Sequence, residues 1–266
     1  MDAAQESPQA FSIESETGLV GPLRPVRSKR RRRRRVRSMS RRFLWVLLAL
    51  ALSACAPSKD PVARGAARFT SLGCVTCHRV GERGGGQAGP DLTTVGLRQS
   101  AAWLDLWLKD PAAWKPGTTM LNFKLKDDVR ADLVAYLQSL KGDAYRVKRP
   151  WDTTAVKADP LKRGEMIYNR AGCVACHGDR GRGGFPNNNV IGNAVPGLKH
   201  ARDGFSVPEL KERILLGRRP EPADPAGPPP LVAMPAWKDF LTEDEIDALV
   251  TYLHSLAPPK ADDWAE

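Results

Sequence analysis

The chain of 266 residues is poor in long apolar runs. The run at residues 43–54 is 12 residues, short of the roughly 20 that a bilayer-spanning helix needs. Net charge is lacking over the part of the chain that would fold. Of the formal net charge of +11, most sits at the front: residues 1–38 hold 10 Lys and Arg against 4 Asp and Glu, and Arg41 and Arg42 follow. Residues 55–266 carry 29 against 26, only +3, which argues against a nucleic-acid partner. The six arginines at 30–35 have no folded scaffold beside them, so they are not a nucleic-acid site either. Strand signal is also scarce, which leaves a helical fold of small core.

What the front does contain is an export signal. Basic residues precede the short apolar run, which ends Leu52-Ser53-Ala54-Cys55; small residues before a cysteine resemble the lipobox of bacterial lipoproteins. Cleavage before Cys55 would leave a lipid on the first residue and tether the chain to a membrane. A start at Met39 would give a signal of ordinary length at 39–54, and residues 1–38 then read as a basic extension upstream of the true start. A cofactor attached after export favours the general secretory route over the twin-arginine one.

Self-comparison reveals a repeat at a constant offset of 99: Asp60-Pro61 matches Asp159-Pro160, Gly65 matches Gly164, Phe69 matches Tyr168, and Gly73-Cys74-Val75-x-Cys77-His78 matches Gly172-Cys173-Val174-x-Cys176-His177. Each copy reads as a helix with an aspartate cap, proline in its first turn and glycine at its end. Each half closes with a second helix, 127–140 and 243–256, apolar at helical spacing. Thr242-x-x-Glu245 is a capping box, and Gly142 can close the first. The division is a domain at 55–142, a polar linker over 143–158, a domain at 159–258 and a tail at 259–266.

Cys-x-x-Cys-His has a physical reason. Two thiols three positions apart can each add to a vinyl group on one porphyrin edge, while the adjacent imidazole reaches the iron. Two such motifs imply two covalently bound c-type haems. A zinc ribbon would need its cysteine pairs about 15–20 residues apart, whereas 95 residues separate Cys77 from Cys173.

These motifs, with Asp110-Pro-Ala-Ala-Trp114-Lys-Pro-Gly-Thr-Thr-Met120 and Asp132-Leu-Val-Ala-Tyr136-Leu137, resemble class I cytochromes c over nearly all of residues 59–258, with Trp114 where that family usually has tyrosine. The resemblance implies a mostly α fold of two tandem cytochrome c domains, each a small helical domain wrapped around its haem. It implies Met120 as sixth ligand of the first iron, and Met120 is the only methionine between Cys55 and the linker. In the second domain Met234 has the expected position, His200 and Lys199 are the other candidates, and Met166 lies on a helix that would reach the wrong face. The span from His177 to Met234 is 57 positions against 42 from His78 to Met120, and includes the proline-rich stretch 220–230, read as a stiff surface loop. The resemblance also implies that the carbonyls of Pro90 and Pro196 orient His78 and His177, and that Arg98 and Trp103 touch haem propionates in the first domain. His254 reads as solvated.

With both axial positions filled the iron has no place for substrate, so the expected function is outer-sphere electron transfer on the outer side of a bacterial membrane. The expected partners are a quinol-oxidising complex upstream and a terminal oxidase or reductase downstream, the protein being a shuttle or a subunit. The alternative is an enzyme, a dihaem peroxidase or small-molecule dehydrogenase, with one displaceable distal ligand.

Overall fold

In the computed structural model, residues 58–85 and 88–258 are described; Cys55, the export signal and the tail at 259–266 lie outside them. The longer helices are α1 (Pro61–Ser71), α2 (Ala101–Lys109), α3 (Asp127–Ser139), α4 (Pro160–Arg170), α5 (Val207–Leu216) and α6 (Glu243–Ser255). Among the described residues there is no strand, only isolated bridges such as Arg218 with Met234.

The repeat is structural. Asp60 caps α1 by accepting from the amides of Val62 and Ala63 at 3.0 and 3.2 Å, and Asp159 caps α4 through Leu161 and Lys162 at 3.1 Å each. These bonds satisfy amides that a helix start leaves without partners. α1 packs on α3, and α4 on α6. Gly65 and Gly164 are where the helices cross: a Cβ on Gly65 would lie 2.0 Å from the Asp132 carbonyl oxygen, and one on Gly164 2.0 Å from that of Ala248. Beside each crossing an aromatic pair tilts together, Phe69 with Tyr136 at 5.4 Å and Tyr168 with Tyr252 at 5.3 Å.

The described residues form one compact unit, and the cores of the two halves interlock. Val195 and Val232 of the second half are buried with Phe69, Trp103, Leu104 and Leu133 of the first, and Leu97 of the first half packs against the second core.

The segment read as a polar linker does join the halves, but it is folded. Helical turns at Asp143–Val147, Pro150–Asp152 and Thr154–Lys157 bury Tyr145 and Trp151, 1% and 0% exposed. The two rings meet edge to face at 5.3 Å, and each fully buried aromatic contributes about 1.5–3 kcal/mol. The Trp151 indole N–H and the Arg149 guanidinium both donate to Glu245, the buried capping-box residue of α6. A stretch that looks hydrophilic is a strap, because Tyr145, Trp151 and Val156 turn inward.

Candidate haem-attachment sites

Each attachment motif follows its capped helix through a glycine with positive φ, +75° at Gly73 and +95° at Gly172. Helical turns at Cys74–Cys77 and Val174–His177 then place each thiol pair one turn apart. All four thiols are free.

Both imidazoles meet a proline carbonyl. His78 Nδ1 lies 3.0 Å from the Pro90 carbonyl oxygen, and His177 Nδ1 3.1 Å from that of Pro196. A carbonyl only accepts, so Nδ1 carries the proton and Nε2 keeps its lone pair free for a metal. Burial lowers both histidine pKa values, which favours the neutral, ligating form. Gly89 leaves room for the His78 ring, because a Cβ there would come within 2.5 Å of it.

Of the candidate sixth ligands, Met120 packs in the first core with Cys74 and Val75. Its Sδ accepts from the Trp107 indole N–H at 2.9 Å, and Trp107 stacks on Trp103 at 5.2 Å. Met234 and Met166 both pack against the second core with Cys173 and Val174. The Met234 backbone exchanges two hydrogen bonds with Arg218, both 2.9 Å. Lys199 and His200 instead line an open surface hollow with Arg180 and Arg182, and the His200 side chain is 75% exposed. His254 departs from expectation: it is half-buried, and its Nε2 is shielded with no hydrogen-bond partner among the described residues, because the α6 face that reads as polar is partly covered.

Arg98 and Trp103 lie between the halves. Trp103 and Trp107 each tilt against Phe185 of the second half at 6.0 Å. Arg98 is buried, donating to Thr94 Oγ1 at 3.2 Å and to the Asp91 carbonyl at 2.8 Å. Its guanidinium fills the place a side chain on Gly172 would need, 2.6 Å from that Cβ position, whereas the equivalent spot at Gly73 meets only Thr76 Oγ1 at 3.8 Å. The Gln99 amide nitrogen is 3.8 Å from Cys176 Sγ. The repeat is thus asymmetric: Cys77 is exposed, while Cys176 packs under the first half.

Sequence reasoning missed three contributors. Trp107 was marked only by its spacing of four from Trp103 on one helix face. Asp91 follows the carbonyl that holds His78 and takes donors from Thr93, Tyr145 and Arg170. Asn187, Asn188 and Asn189 carried no signal beyond loop composition.

These donors suit a covalently held haem: paired thiols for the vinyl groups, an imidazole nitrogen and a soft thioether for iron. Among the described residues no group of three or more His, Cys, Asp or Glu could hold a metal instead. The class is that of helical proteins with Cys-x-x-Cys-His haem attachment. The family model for cytochrome c matches residues 62–141 and 161–257. No solved structure gives a significant match. The chain belongs to the cytochrome c family, as two tandem helical domains, and its chemistry is haem-based electron transfer.

Proposed function

We propose that the chain carries two haems, at Cys74, Cys77 and His78 and at Cys173, Cys176 and His177, and serves as an electron carrier rather than an enzyme. In this reading it is exported, held at a bacterial membrane by lipid on Cys55, and passes electrons from a quinol-oxidising complex to a terminal oxidase or reductase. The observation that carries it is the matched pair of attachment motifs, each with the same supporting residues. Each has an imidazole aimed by a proline carbonyl, and a methionine, Met120 or Met234, packed in the same core as the first cysteine of the motif, Cys74 or Cys173. Bound haem supplies one-electron exchange at iron, and a methionine ligand favours the ferrous state. The chain contributes orientation of the imidazoles, exclusion of water by the cores, and thioethers that leave no vacant position.

Carbon monoxide tests this. The reduced wild type should bind it slowly, since a thioether must leave first, and should turn over peroxide negligibly. Met120→Ala should open one haem and lower its potential, Met234→Ala the other, and Met166→Ala neither. Prompt binding at one wild-type haem, or peroxide reduction at enzymatic rates, would overturn the carrier reading.

A further inference from the structure

We propose that Asn187, Asn188 and Asn189 are positioning residues for the second distal ligand, an inference that rests on Met234 being that ligand. Residues 220–230 contain six prolines. Proline has no backbone donor, so this stretch cannot be held by an ordinary backbone ladder. The facing turn supplies what is missing, because each carboxamide both donates and accepts.

Asn187, 5% exposed, gives Nδ2 to the Val232 carbonyl at 2.9 Å and accepts the Val232 amide at 3.1 Å, pairing with it as a neighbouring strand residue would. Asn188 gives Nδ2 to the Pro229 carbonyl at 3.0 Å and accepts the Leu231 amide at 2.8 Å. Asn189 gives Nδ2 to the carbonyls of Asp224 and Pro228 at 2.9 and 2.8 Å, and accepts the Asp224 amide at 2.8 Å. Its own carbonyl takes the Ala223 amide at 2.9 Å, and its φ of +50° is one that asparagine tolerates better than most residues.

The three side chains therefore replace a β-strand along the proline-rich loop. Val232 is pinned twice, its backbone by Asn187 and its side chain in the core of the first half. Two residues on, Met234 is closed against Arg218. A loop fixed at both ends presents its thioether in one place despite its length. This resolves how a distal segment longer than that of the first domain can still keep its site shut.

The test uses the matured dihaem protein, reduced and mixed with carbon monoxide, with Met234→Ala identifying the signal of the second haem. Asn187→Ala and Asn189→Ala should each speed binding at that haem about tenfold, as expected when one or two net hydrogen bonds favouring the closed loop are lost, and leave the first haem unchanged. Asn187→Asp, which turns a carboxylate oxygen toward the Val232 carbonyl, should speed binding at least as much as Asn187→Ala. If Asn187→Ala does not mature with both haems, Asn188→Ala on the exposed side of the ladder carries the same expectation. Variants that lose thermal stability yet bind carbon monoxide at the wild-type rate would reduce the asparagines to scaffold and overturn the proposal, with Met234 still the ligand. A Met234→Ala protein whose second haem stays closed would overturn the ligand assignment, and this proposal with it.

Discussion

Asp91→Ala should destabilise the whole body, because Asp91 ties both halves and the strap together. Its carboxylate accepts from the Thr93 amide at 2.9 Å, the Thr93 hydroxyl at 2.5 Å and the Tyr145 hydroxyl, and it pairs with Arg170 Nε at 3.1 Å. The acid's side chain is 5% exposed and that of Arg170 20%. Removing one partner of a buried pair costs about 3–5 kcal/mol. Arg170 keeps some water and its contact with the Gly81 carbonyl at 3.2 Å, so the lower end, about 3 kcal/mol, applies. For a body of this size that lowers Tm by about 6–12 °C. Asp91→Asn keeps the shape but turns an amide toward Arg170, and should cost about 1.5–3 kcal/mol. The assay is thermal unfolding of the haem-loaded protein followed by haem absorbance and by tryptophan fluorescence, which should report one shared transition. Arg170→Ala combined with Asp91→Ala should cost at least about 1 kcal/mol less than the sum of the two alone. An Asp91→Ala protein within about 1 kcal/mol of wild type, or strict additivity of the pair, would refute the hub.

Two haems should remain with the polypeptide through acid-acetone extraction, and replacing Cys74 and Cys77 by serine should remove one and leave the other, read as the mass of the denatured chain; one haem in matured wild type contradicts the paired sites. Wild type should partition with membranes and carry lipid mass on Cys55, and Cys55→Ser should abolish both; wild type found free and unlipidated would end the anchoring proposal. Asp244 is held down to about 2 by the Thr242 hydroxyl and by Arg163. A carboxylate depressed in the folded state adds stability above its ordinary 3.8, and loses it as pH falls toward 2. Half exposed as it is, it should contribute on the order of 1 kcal/mol or less. The stability gap between wild type and Asp244→Asn should therefore close between about pH 4 and pH 2, and a gap that stays constant there would count against this pairing.

What could be read from the sequence was whatever local chemistry dictates. Cys-x-x-Cys-His, the aspartate-proline helix starts and the capping box of α6 each need only neighbours within a few positions. The match of Gly65 with Gly164 was visible, but its reason was not, since the obstructing carbonyls belong to Asp132 and Ala248, on helices more than 60 residues further on. The strap was misjudged because Tyr145 and Trp151 are isolated aromatics in a polar stretch, and only Glu245, 94 residues beyond Trp151, makes a buried indole N–H tolerable. The family resemblance implies a haem-propionate contact for Arg98 in the first domain. Its seat against Gly172 exists only once two domains meet, which no periodicity within one of them encodes.

That seat makes the second attachment motif answer to the first half of the chain. With Arg98 occupying the notch at Gly172 and Gln99 beside Cys176, the surroundings of the second thiol pair are built by residues of the other domain. Cys77 of the first motif stays exposed. A change at Arg98 is therefore a change at the second motif, and the two halves cannot be altered independently there.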